Sequence, residues 1–98
     1  MALKIVWSKR ASYKFDQIIS YLVDKWGEKS AKQFIGRVFD FLEILSEFPE
    51  IGSVENKEKN IRGFTIVKQV NIFYRIKGDT IILILFFDNR QNPKKKKI

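Results

Sequence analysis

Hydrophobic residues recur along this chain in two different periods, and the change from one to the other marks out its elements. At the start, Leu3, Ile5 and Trp7 alternate with Lys4, which predicts a short strand. Ser8 then stands where a helix N-cap belongs. From there Ala11, Phe15, Ile18, Ile19, Leu22 and Trp26 recur at spacings of three and four, predicting one helix that runs to Gly27. A second helix is expected to begin near Glu28 or Ser30 and to turn Ala31, Phe34, Ile35, Val38, Leu42 and Leu45 inward, with Phe39, Phe41 and Phe48 widening the stripe. Pro49 ends it, because the residue before a proline is pushed out of the helical region and proline has no N–H to give. The link at Gly27 is so short that the two helices are expected to pack antiparallel as a hairpin.

Residues 50–60, EIGSVENKEKN, are polar with Gly and Asn and read as an exposed loop. Three strand-like runs follow: NIRGFTIVK, interrupted by Gly63; VNIFYRI, which alternates; and TIILILFFD, which is apolar on both faces and is expected to be the central strand. Lys77-Gly78-Asp79 reads as a tight turn joining the last two as an antiparallel hairpin. The expected fold class is therefore α+β, in the order β-α-α-β-β-β: an N-terminal strand, then an antiparallel helical hairpin packed on one face of a mainly antiparallel four-stranded sheet. Aromatic residues at helical spacing are read as core rather than as a binding box.

The 98 residues are enough for one domain, here residues 1–93, followed by a basic tail at 94–98. The chain has no cysteine and no histidine. That excludes disulfides, thiolate chemistry and the usual zinc ligands, and with no phosphate-cradling or dinucleotide motif the expectation is no metal and no cofactor. The longest apolar run, Ile81 to Phe87, is too short to span a bilayer, and the N-terminus lacks the order of a secretory signal; a soluble, cytoplasmic protein with no membrane partner is expected.

Charge changes this picture. Residues 1–54 carry eight Lys/Arg against seven Asp/Glu, whereas residues 55–98 carry eleven against four. A basic half beside a neutral half is the electrostatic footprint of a surface that meets polyanions or an acidic partner. Arg62, Arg75 and Arg90 open or close strands, and neighbouring strands can gather such residues on one rim as forked donors to phosphate or carboxylate oxygens. The competing account is that each is a solvated strand-end charge. Lys57 and Lys59 lie in the polar loop and can supply phosphate contacts to the same rim. Lys94 and Lys95, within the run Lys94–Lys97, either add sequence-blind attraction to phosphate or merely solubilise the end of the chain. Asp79 and Asp88 stand at opposite ends of one strand, too far apart for a paired acid and base. No residue is assigned as catalytic.

WSKRASYKFDQIISYL, a helix ending in LSEFPEIGS, then NIRGF, NIFYRI and IILILFFDNRQNP together resemble the RelE/ParE superfamily of toxins from type II toxin–antitoxin systems. The similarity runs from Ile5 to about Pro93. Its most specific points are the Pro49–Gly52 helix exit, Arg62, Tyr74-Arg75 and the Arg90-Gln91-Asn92-Pro93 ending. The resemblance implies a growth-arresting toxin neutralised by a cognate antitoxin, acidic enough to suit the basic half, in a toxin–antitoxin hetero-oligomer. RelE-like members cleave mRNA on the ribosome; ParE-like members are associated with poisoning DNA gyrase. RNA-cleaving members often place a tyrosine or histidine after the last strand and an arginine in the third strand. Here only Gln91, Asn92, Pro93, lysines and Ile98 follow Arg90, and Asn71 stands at that third-strand position. The ParE-like branch, acting by binding without chemistry of its own, is therefore favoured. A ribosome-dependent endoribonuclease using Lys57, Lys59, Arg62 and Arg75, and a non-toxic antitoxin-binding module, remain the alternatives.

Overall fold

The computed structural model describes residues 2–89. Arg90, Lys94 and Lys95, and with them the tail, lie outside the described residues.

The elements are β1 (Lys4–Trp7), α1 (Lys9–Trp26), α2 (Glu28–Glu47), β2 (Ser53–Asn56), β3 (Ile61–Val67), β4 (Val70–Lys77) and β5 (Thr80–Asp88). They form one mixed sheet in the order β1-β5-β4-β3-β2, with β1 parallel to β5 and every other pair antiparallel. The sheet thus has five strands where the sequence suggests four. The additional strand, β2, comes from the stretch expected to be a loop. Ser53, Val54 and Glu55 are all exposed, so no alternation of buried and open positions marks them, and the strand exists through its pairing with β3. The expected centre also shifts: β5 is an interior strand, but β4 occupies the middle of the sheet.

Ser8 shows how the first helix is started and anchored. Its side-chain oxygen accepts from the Ala11 N–H at 3.0 Å, while its hydroxyl donates to the Ile84 carbonyl at 3.0 Å and its own N–H donates to the Leu83 carbonyl at 3.0 Å. One serine therefore caps α1 and ties it to β5. Ser8→Ala is expected to lower stability by about 1–2 kcal/mol, read as a lower urea midpoint at unchanged slope.

The hairpin of helices covers one sheet face. Ala11, Ile18, Phe34, Val38, Phe41, Leu42 and Leu45 bury against Val70, Ile72, Tyr74, Ile81, Leu83 and Phe86. Rings carry much of this contact, with Trp7 against Phe15 at 5.0 Å, Phe15 against Phe86 at 5.3 Å and Phe41 stacked on Phe64 at 4.3 Å. Three residues of the expected inner stripe are exposed, among them Phe39 on α2 at 49%. Trp26, in the last turn of α1, is 68% exposed, and Phe48, past the end of α2, is 62% exposed.

Two details of register decide what the opposite, open face carries. Between Phe73↔Leu85 and Tyr74↔Leu83 the β5 chain has one extra residue, Ile84. The bulge shifts the helix-facing set from Ile81 and Leu83 to Phe86, and it leaves Ile61, Phe73 and Leu85 as a second small core, with Ile84 and Phe87 packed against it. Gly63 does not interrupt β3, contrary to expectation. It lies within the continuous strand, where an added Cβ would come within 2.9 Å of both the Phe73 ring and the Glu55 side chain. Its lack of a side chain makes room for Phe73.

Candidate functional site

Strand alternation sends the two central arginines to opposite faces. Arg62 pairs in register with Tyr74, whereas Arg75 pairs with Ile61 on one side and Ile82 on the other. Arg62 therefore turns toward the helix side and Arg75 toward the open face. Residues expected to share one rim are separated by a single step of the pleat.

On the helix side, Arg62 serves the exit of α2. Its Nη1 donates to the Glu50 carbonyl at 3.1 Å and to the Gly52 carbonyl at 2.8 Å. The buried Tyr74 works on the same turn. Its hydroxyl donates to the Pro49 carbonyl at 2.8 Å and accepts from the Gly52 N–H at 2.9 Å. Gly52 is required here, because a Cβ would come 2.6 Å from the Tyr74 oxygen and 2.8 Å from the Gly63 carbonyl. Burial pushes the Tyr74 hydroxyl above its ordinary value, opposed in part by the Gly52 N–H and by the positive charge of Arg62. The Pro49–Gly52 segment is in this way stapled from beneath by two side chains of adjacent strands.

On the open face, Arg75 lies in a groove of about 600 Å³ lined by Ser8, Arg10, Lys59, Ile61, Phe73, Ile82, Ile84 and Leu85. Three elements far apart in sequence supply its cations: the first turn of α1 gives Arg10, the β2–β3 turn gives Lys59 and β4 gives Arg75. The β2–β3 turn is held in place by Asn60, at φ 57°, whose side chain donates to the Ile76 carbonyl at 3.2 Å, and by the Lys59 N–H donating to the Asn56 side chain at 3.0 Å. The floor between the cations is hydrocarbon. Carboxylates are absent from the lining among the described residues. Lys57, in the same turn as Lys59, is exposed and is not part of the lining.

Arg10 was not among the residues singled out from the sequence, although a signal for it is present. Helix N-termini favour acidic side chains, yet the first turn of α1 has none and instead opens Lys9-Arg10. Two cations at the positive end of a helix dipole oppose local stability, and of the two only Arg10 lines the groove.

A helical hairpin on one face of a mixed sheet, with β1 parallel to β5 and an open face opposite, defines an α+β domain of the RelE/ParE type. The model of the ParE toxin of type II toxin–antitoxin systems (parDE) matches residues 5–93, and the chain belongs to that family. No curated protein sequence matches it. Among solved structures, one from the chromosomal ParDE toxin–antitoxin system of P. aeruginosa is similar at 16% identity and TM-score 0.75, covering 89% of this chain and 96% of that one. The YoeB/ParE toxin from Agrobacterium tumefaciens is similar at 12% identity and TM-score 0.61, over 88% and 98% of the two chains. The YoeB dimer from Staphylococcus aureus gives 11% identity and TM-score 0.61, over 89% and 97%. At these identities the likeness is one of fold. Among the described residues no helix is long and apolar enough to cross a membrane.

Proposed function

We propose that this ParE-family chain arrests growth by gripping DNA gyrase through its open sheet face, with no chemistry of its own, and that an acidic antitoxin holds it inactive. The observation that carries this proposal is the make-up of the groove: three cations from separate elements surround an apolar floor. Such a surface attracts and orients an anionic partner. Of the side chains that ordinarily move protons, only Lys59 lines the groove among the described residues, and it stands on an exposed turn. Arg62, whose Nη1 bonds two carbonyls of the α2 exit on the helix side, lies apart from Arg75, which weighs against the endoribonuclease set of Lys57, Lys59, Arg62 and Arg75. Arg90, Lys94 and Lys95 are proposed to extend the same charged surface.

The test is a pulse of expression in bacteria without antitoxin, followed within minutes by mapping of new 5′ ends on an abundant message and by recovery of gyrase-linked DNA breaks. Growth arrest with gyrase-linked breaks and no new translation-dependent ends is the expected result. In-frame cuts that require translation would overturn it in favour of mRNA cleavage, and an absence of arrest would leave a non-toxic antitoxin-binding module. A variant combining Arg90→Ala with deletion of Lys94–Lys97 is expected to lose growth arrest and keep its thermal midpoint; full toxicity in that variant would show that the tail region is dispensable.

A further inference from the structure

The chemistry of the groove is specific enough to say what kind of macromolecule enters it. We propose that the Arg10–Lys59–Arg75 groove is a slot for an extended protein segment in which acidic and aliphatic residues alternate, and not a nucleic-acid site. This deepens the proposed binding role of the open face and rests on it.

Single-stranded nucleic acid is held by cations together with exposed rings on which bases stack. Among the described residues the groove has the cations but no such platform. Its one aromatic, Phe73, is 1% exposed and presents no face, because its ring is packed against Gly63. Among the described residues the exposed rings, Tyr13, Tyr21, Trp26, Phe39 and Phe48, lie on the helices and at the α2 exit, and none lines the groove. What the floor offers is aliphatic: Ile61, Ile82, Ile84 and Leu85. Aliphatic surface gives nothing to a sugar–phosphate backbone but rewards a leucine, isoleucine or valine that covers it.

The dimensions fit a peptide. From the first turn of α1, which follows β1, to the turn before β3, the groove crosses three inter-strand steps, about 14 Å in all and about four residues of extended chain. In a chain of that length, alternation sends successive side chains to opposite sides. One set can reach the floor while carboxylates between them meet Arg10 at one end and Lys59 and Arg75 at the other. Arg10 in the first turn of α1 fits the same account, since a carboxylate there answers both the guanidinium and the helix dipole.

The experiment uses the full chain labelled with nitrogen-15 and a short blocked peptide alternating glutamate with leucine. Its companions are an analogue with serine for leucine, an analogue with glutamine for glutamate, and an oligothymidylate of matching charge. The alternating peptide is expected to shift the amides of Ile61, Arg75, Ile82 and Ile84, and each analogue to bind at least roughly tenfold more weakly. Arg10→Gln with Arg75→Gln is expected to weaken the peptide to a similar degree. Because the serine analogue probes the floor without altering the protein, the test does not depend on a variant that folds. The inference is overturned if the oligothymidylate perturbs the groove at lower concentration than the peptide, or if the serine analogue binds as well as the leucine peptide. Either result can be obtained whether or not the chain arrests growth, so failure of the gyrase proposal and failure of this one remain distinguishable.

Discussion

Replacing both Arg10 and Arg75 with glutamine is expected to abolish growth arrest while leaving the fold intact. Both side chains are exposed on the open face and neither contributes to the buried core. Surface substitutions of this kind change stability by about 0.5 kcal/mol or less, and relieving α1 of a first-turn cation acts in the stabilising direction. The loss in target affinity is much larger. A charge-assisted contact contributes about 1.5–3 kcal/mol, so two of them correspond to roughly a hundredfold or more in Kd. The measurement is growth after induction, paired with a thermal melt of the purified variant. Arg62→Gln supplies the contrast: it removes hydrogen bonds to the Glu50 and Gly52 carbonyls and is expected to lower the melting temperature. Undiminished toxicity in the double variant would place the functional surface elsewhere. Binding through the groove also predicts steep salt dependence, because exposed charges are screened within about 8–10 Å at physiological ionic strength.

Tyr74→Phe is expected to be the most damaging of the conservative changes. It keeps the ring and the packing but deletes the hydroxyl that joins the Pro49 carbonyl to the Gly52 N–H. Leaving buried backbone groups without a partner costs about 1–3 kcal/mol, which in a domain of this size lowers Tm by roughly 4–8 °C for each kcal/mol. The sign of its pH dependence is also fixed. Burial holds the folded-state hydroxyl above the ordinary value of 10.0, so the unfolded chain gives up this proton first as pH rises. The contribution is whole below about pH 10 and is lost as pH climbs from there toward the folded-state value. The parent should therefore lose stability more steeply than Tyr74→Phe above pH 10. Chemical denaturation at pH 7 and in the alkaline range measures both effects; equal midpoints at pH 7 would mean that Arg62 alone holds the turn.

The reach of the amino-acid sequence follows from the range of the interactions concerned. The helix boundaries, the Ser8 cap, the stop at Gly27, the exit at Pro49 and the Gly78 turn, with φ 62°, were all legible because each depends on residues within a few positions of one another. The ParE-family resemblance was legible for a related reason, since it rests on the order of such local features along the chain. β2 was not legible, because an edge strand with exposed side chains leaves no burial pattern. Nor was the groove. Its cations sit at positions 10, 59 and 75, and whether they share a face depends on strand parity, which the bulge at Ile84 and the irregular pairings at Thr65/Val67 and Val54/Asn56 each reset by a residue. By itself the sequence determined the two helices and four of the five strands, their order, and that the later half is basic. Only the tertiary structure decided that Arg62 would hold the α2 exit while Arg75 joined Arg10 and Lys59 around an apolar floor, because a single step of the pleat sends neighbouring side chains to opposite faces of the sheet.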